Sequence, residues 1–429
     1  MSFELVLGTL TLFGTAAFGL PVAYAILTGV LVYLGASGQD LAIAGETMVQ
    51  RLFDGFLLLA VPLFIVSANI MNAGSISDRL LNFCVALVGR FRGGLGHVNV
   101  VASLIFSGMS GSAVADAAGI GKIIIDMMMK SGGYTRGYAA AITAATATIG
   151  PIIPPSIPMV LYALVSDTSI GSLFLAGIMP GLLMGGVLMG MNAWISNRRG
   201  FGQEDSVSID RLPGITVRAT PALLMPAILL TGIYSGVTTP TEAAAVAALY
   251  ALIVAVGLYR ALKLRTLYEV FVESARSAAS VGLVIGASMI LTYVVIQENV
   301  PQMISALFAG ADISPLAFML LVNVLVLLLG CVLDATVIIL VIVPLFIPTC
   351  LHLGIDLVHF GVLIVVNSMI GLITPPYGIL LFVISAVSKI PLNEMIGEIW
   401  GFLAVLLLAL LVMILFPDLV LWLPRAFGH

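Results

Sequence analysis

The chain has 429 residues, 61% of them hydrophobic and only 9% charged, with a net charge of -4. A soluble globular protein carries about 25% charged residues, so this chain cannot cover a water-facing surface of its size. A mean hydropathy of +1.19 and recurrent long apolar runs describe an all-α polytopic membrane protein. With no basic domain and no GxxxxGK(S/T) phosphate loop, nucleic-acid binding is excluded as a main role and uphill work falls to an ion gradient or a separate ATPase.

In chain order, nine segments are long and apolar enough to cross a membrane: 5–35, 55–74, 138–165, 172–195, 219–236, 241–259, 278–297, 359–385 and 399–423. The first is too long for the core of a cleaved signal and reads as a retained helix. Two further stretches, 94–129 and 313–350, are interrupted by Ser107-Gly-Met-Ser-Gly-Ser112 and by Gly330-Cys-Val-Leu-Asp-Ala-Thr336. Each fits a crossing pair or a re-entrant hairpin whose arms meet at the tip. The polar run Thr266–Ser277 is expected to lie along the cytoplasmic interface as a connecting arm. Cys84, Cys331 and Cys350 sit in apolar surroundings and read as core residues. The four histidines form no metal-ligand pattern.

Basic residues decide the sidedness. Arg90 and Arg92 precede the first interrupted stretch, and Lys122, Lys130 and Arg136 lie on or beyond its second arm, so both flanks belong inside. The second stretch is flanked by Glu298, Asp312, His352 and Asp356, which puts both flanks outside. Nine crossings from a cytoplasmic N-terminus leave 15 of the 17 basic residues inside, including Arg198, Arg199, Arg211 and Arg218, with only Arg51 and Arg425 outside. Irregular backbone at membrane depth survives only inside protein or beside a cavity, so both tips are expected to be internal.

An offset of 221 residues aligns Ile149-Gly-Pro-Ile-Ile-Pro-Pro155 with Ile370-Gly-Leu-Ile-Thr-Pro-Pro376 and Ser110 with Cys331. Each copy reads as two crossings, a hairpin, a broken crossing and one more crossing. The helix at 219–236 then stands between the copies and inverts the second, as in secondary transporters that bind substrate and ions at discontinuous helices near the midplane.

The chemistry centres on the breaks. Pro151, Pro154, Pro155 and Pro158 cannot share one continuous helix, because each removes an amide donor and clashes one turn back. The first break is therefore expected at 150–156, and its counterpart at Gly371–Tyr377. Freed carbonyls with nearby hydroxyls suit a small hard cation, and half-helix N-termini suit an anion. Asp116 and Asp334 are ionisable groups at membrane depth. Asp334 fits a ligand and a cap equally; Asp116, one turn beyond its tip, fits a cap or a structural hydrogen bond better. Thr143, Thr146, Thr148, Asn367 and Ser368 lie on the turns before the breaks, and Asn69 and Asn72 suit interhelical hydrogen bonds.

The segments Ser110-Gly-Ser-Ala-Val-Ala-Asp116, Ile149-Gly-Pro-Ile-Ile-Pro-Pro-Ser156, Phe174-Leu-Ala-Gly-Ile-Met-Pro-Gly181 and Gly371-Leu-Ile-Thr-Pro-Pro-Tyr-Gly378 resemble the large membrane subunit of tripartite ATP-independent periplasmic (TRAP) transporters, end to end. The resemblance implies sodium-driven import of an organic anion, a carboxylate or sulfonate, across a bacterial inner membrane. It also implies a small four-helix membrane subunit, here expected as a separate chain, and a periplasmic substrate-binding protein. An elevator architecture would make 77–165 and 313–386 a mobile transport domain, with 1–76, 166–277, 278–312 and 387–429 as scaffold and connecting helices. Sodium would bind where each tip meets its break: at Ser110, Gly111, Ser112, Gly150 and Pro154, and at Gly330, Asp334, Gly371 and Thr374. Ser112, Ser156, Thr374 and Tyr377 would face the substrate. A stand-alone sodium–carboxylate symporter of the same superfamily shares these features but needs no binding protein. An ion-translocating subunit of an energy-converting complex or an intramembrane enzyme would need buried Lys, Glu, His or nucleophile sets that the chain lacks.

Overall fold

The computed structural model describes residues 2–73, 76–202, 212–310 and 313–428. Arg211 and Asp312, used above for sidedness, lie outside the described residues. The first half runs through α1 (Phe3–Ala17), α2 (Val22–Ala36), α3 (Ala42–Asp54), α4 (Ala60–Ala73), α5 (Ile76–Val88), α6 (Gly94–Ser110), α7 (Ala113–Asp116), α8 (Lys122–Ser131), α9 (Arg136–Ala147), α10 (Ile157–Ser166) and α11 (Ile170–Arg199). The second half runs through α12 (Leu212–Tyr234), α13 (Pro240–Leu252), α14 (Leu264–Gln297), α15 (Val300–Gly310), α16 (Pro315–Gly330), α17 (Ala335–Val337), α18 (Val343–His352), α19 (Leu357–Gly371), α20 (Ile379–Ser388), α21 (Leu392–Leu415) and α22 (Pro417–Ala426).

The offset of 221 residues maps one half onto the other almost helix by helix. It holds even for two π-helical turns, Ala117–Gly121 and Ile338–Ile342, which join α7 to α8 and α17 to α18 into continuous arms. The repeat-related helices α11 and α21 pack side by side and antiparallel. Arg199 at the end of α11 meets Glu398 near the start of α21 through two contacts of 2.7 and 2.8 Å, and Gly401 faces Met191.

Three expectations are corrected. Residues 5–35 are not one crossing: the chain turns at Phe18–Pro21, with Gly19 at φ +90°, into two antiparallel helices. Backbone touches backbone between them, since a Cβ on Gly29 would lie 2.7 Å from the Gly8 carbonyl oxygen. Second, α12 is not a helix between the copies. The offset makes it the counterpart of α1, so each copy opens with a helix pair of its own. Third, Thr266–Ser277 is no separate arm but the first third of α14, a single helix of 34 residues and about 51 Å. In addition, 399–423 breaks at Phe416 into α21 and α22.

Two apolar cores result. A small one joins Ile26, Val30 and Leu34 of α2 to Ala287, Ile290 and Val294 of α14. The large one holds the hairpin arms and the broken helices, where α10 packs on the π turn 338–342 and α20 on the π turn 117–121. Each half thus braces the hairpin of the other.

Overpacking the α1–α2 contact tests its weight. Gly29→Val should destabilise the purified protein by about 1–3 kcal/mol, read as a fall in thermal midpoint. Gly14→Ala, with open space around it, should stay within about 0.5 kcal/mol of the parent.

Candidate functional site

The first tip is built by α6 ending at Ser110. Gly111 follows in the left-handed region at φ +59°, and Ser112 caps α7 by accepting from the Ala115 amide at 3.4 Å. Glycine is required at 111 twice over, by its φ and by the room it leaves: a Cβ would lie 2.6 Å from the Pro155 carbonyl oxygen. That oxygen belongs to the break between α9 and α10, which contains the cis Pro154–Pro155 bond. The opposite wall of the break is α11, where a Cβ on Gly177 or Gly181 would strike Ile152 O or Ile153 Cγ1 at 2.3 Å.

Behind the tip lies Asp116, 3% exposed. One carboxylate oxygen accepts from the Ser110 hydroxyl. The other has no protein partner among the described residues and points at Gly150, where a Cβ would sit 2.3 Å from it. Ser110 and Gly150 therefore meet at the Asp116 carboxyl, with Gly111 and Ser112 following Ser110 in the tip and Pro154 beside the Pro155 carbonyl that Gly111 faces. A buried carboxylate with a free oxygen is costly unless a cation or proton completes it. Ser156 is fully buried and spent on the turn: its hydroxyl donates to Pro151 O and accepts from the Met159 amide.

The second tip differs in chemistry. Gly330 and Gly371 touch backbone to backbone, a Cβ on Gly371 falling 2.7 Å from Gly330 Cα. The Gly378 amide donates to Cys331 O at 3.3 Å, which fastens the tip to the break. Asp334 is exposed and caps the second arm, accepting from the Thr336 amide at 2.8 Å. Thr374 donates to Ile370 O at 2.8 Å, and Tyr377 is 58% exposed. The structure thus brings Gly330 and Gly371 together, while Asp334, Thr374 and Tyr377 bond within their own segments or face outward.

Asparagines tie each hairpin to its broken helix. Asn99 of α6 donates to Thr143 at 2.6 Å and accepts from Thr146 at 2.9 Å. In the second half Asn367 donates to Asn323 Oδ1 at 2.9 Å. Asn99 and Asn323 escaped the sequence reading, although a lone amide in an apolar arm is a signal. Beside the first tip a cavity of about 610 Å³ opens between α4, the tip and α14, lined among others by Ser110, Ser112, Asn69, Asn72 and Glu273. Asn69 donates to Ser274 at 2.9 Å and so joins α4 to α14.

This is a multi-pass, all-helical membrane protein among its described residues. It aligns with the crystal structure of the YdaH transporter of Alcanivorax borkumensis at a TM-score of 0.62 and 16% identity, over 88% of this chain and 89% of that one. Residues 9–419 match the family described as tripartite ATP-independent periplasmic transporter, DctM component. The chain is 40% identical to the sialic acid TRAP transporter large permease protein SiaM of Vibrio cholerae, over 95% of this chain and 96% of that protein. It is 39% identical to the C4-dicarboxylate large permease DctM of Pseudomonas aeruginosa, over 89% and 90%. The isethionate permease protein DctMQ of Oleidesulfovibrio alaskensis is 36% identical over 92% of this chain and 62% of its own length. The chain belongs to the TRAP transporter large permease family; it is a transport protein and not an enzyme.

Replacing Asn367 by Leu leaves the Asn323 side-chain oxygen without its donor in a buried site. A loss of about 1–3 kcal/mol in thermal or denaturant unfolding is expected, with a smaller loss for Asn367→Gln.

Proposed function

We propose that this permease imports an organic anion across a bacterial inner membrane, driven by sodium, with a periplasmic binding protein delivering the substrate and a small four-helix subunit on a separate chain. The carrying observation is the first tip. A buried carboxylate oxygen without a protein partner, the Ser110 hydroxyl and the backbone freed at the proline break make an all-oxygen donor set of the kind that holds a small hard cation. At the second tip only the backbones of Gly330 and Gly371 come together in this way, with Asp334 and Thr374 held within their own segments.

The two tips are re-entrant in this reading, the first from the cytoplasmic side and the second from outside. Basic residues on both flanks of the first, and their absence from the described flanks of the second, support that placement. Five spans in each copy invert the second relative to the first. The cross-bracing of α10 and α20 supports 77–165 with 313–386 as one moving body, and the separate α1–α3 and α14 core supports a scaffold. The cavity beside the first tip, with Ser112, Asn69 and Asn72 in its wall, is where the anion approaches the bound cation. Its lining includes no basic side chain, so cation and half-helix amides carry the recognition. The names of the relatives put sialic acid, C4-dicarboxylates and isethionate among the substrate classes to try first.

The test is uptake of radiolabelled organic acids by liposomes holding the permease and its small subunit. Uptake should require both an inward sodium gradient and the binding protein. Uptake without the binding protein would point to a stand-alone symporter, and uptake that follows protons alone would remove sodium from the account. Asp116→Asn and Gly150→Ala should each lower sodium-driven uptake at least tenfold, Gly150→Ala by pushing the carboxylate aside, while both variants still assemble with the small subunit.

A further inference from the structure

A second cavity, of about 520 Å³, lies between the base of the first hairpin and the end of α11, well away from the tips. Arg90, Arg92, His97 and Asn197 supply its polar groups, and Phe91 and Met189 part of its apolar wall. The four ion pairs among the described residues involve neither Arg90 nor Arg92. Arg90 rests over the Phe91 ring at 5.3 Å, and Phe91 meets the His97 ring edge-on at 6.1 Å. His97 is only 6% exposed, yet its Nδ1 has no hydrogen-bond partner among the described residues. Two arginines with no ion-pair partner among the described residues, beside a buried imidazole, make a site for a phosphate-type anion.

The setting says where that phosphate comes from. Trp194 is 52% exposed with Arg198 over its ring at 4.5 Å, and Phe91 is 46% exposed. Exposed aromatics with arginines at helix ends mark the boundary between hydrocarbon and head groups. Basic pockets between helices at that level suit acidic head groups, and an apolar wall beside the charges suits an acyl chain rather than a free ion.

The walls are rigid. Asn192 of α11 donates to Gly93 O at 3.2 Å and accepts from the Tyr138 hydroxyl. A Cβ on Gly96 would strike Asn192 Oδ1 at 2.0 Å.

We propose that this cavity binds one anionic phospholipid, with the phosphodiester between Arg90, Arg92 and His97 and an acyl chain along Phe91 and Met189. The lipid bridges the 89–93 connection to α11 at the base of the first hairpin. The site is independent of the transport reading above.

The test is native mass spectrometry of the permease with its small subunit after exchange into detergent with equimolar phosphatidylglycerol and phosphatidylcholine. The wild type should retain phosphatidylglycerol at least tenfold over phosphatidylcholine, in one tightly held copy. Arg90→Gln/Arg92→Gln should lose that preference at least tenfold, while Lys130→Gln/Lys263→Gln, at exposed basic residues elsewhere, keeps it. Equal retention of the two lipids by the wild type overturns the proposal without reference to any variant. A double variant that still holds phosphatidylglycerol as the wild type does also overturns it. Displacement of the lipid by 20 mM inorganic phosphate would make this a free-anion site and contradict the lipid assignment.

Discussion

The arrangement depends on backbone meeting backbone at two points where no side chain intervenes. Gly111 against Pro155, and Gly330 against Gly371, hold each hairpin tip to the unwound turn of its broken helix. A proline-rich break in an apolar environment exposes carbonyls that no water satisfies, so it persists only if something polar is packed against it. The tips are that packing. Their glycines let carbonyls and hydroxyls of tip and break share one small volume, which is the condition for an ion site made mostly of neutral oxygens.

From that contact outward the fold follows in layers. Asn99 and Asn367 link the hairpin arms to the first halves of the broken helices, and the second halves brace the opposite hairpins at the two π turns. Gly177 and Gly181 of α11 close over the first break. The two ion-site candidates thus sit in one packed body, each hairpin held by the second half of the other copy's broken helix. The chemistry is unequal, however: the first site contains a buried carboxylate, whereas the acid of the second faces outward as a helix cap.

Much of this was legible in the sequence because it rests on local rules. Four prolines within eight residues break a helix whatever surrounds them, and Ser-Gly-Met-Ser-Gly-Ser interrupts an apolar run in any context. The 221-residue offset followed from matching those motifs. Other features depend on tertiary contact. The turn at Gly19–Pro21 hid inside continuous apolarity, so two helices read as one. The π turns carry no compositional mark. The two aspartates fall within the alternatives the sequence left open: Asp116, one helical turn beyond the tip, accepts a structural hydrogen bond from Ser110 and faces Gly150, while Asp334 stands at the arm's start and caps it. Asn99 and Asn323 acquire meaning only from what faces them.

The central claim is that the first tip and its break hold a sodium ion, and the most direct measurement is sodium binding itself, without transport. Thermal unfolding of the purified permease with its small subunit should be followed as sodium replaces potassium at constant ionic strength. A ligand bound only by the folded state raises stability by RT ln(1 + [L]/Kd), so the midpoint should climb with sodium and not with potassium, and the climb should shrink in Asp116→Asn. A midpoint indifferent to the choice of cation, or a sodium effect unchanged in Asp116→Asn, would contradict the account.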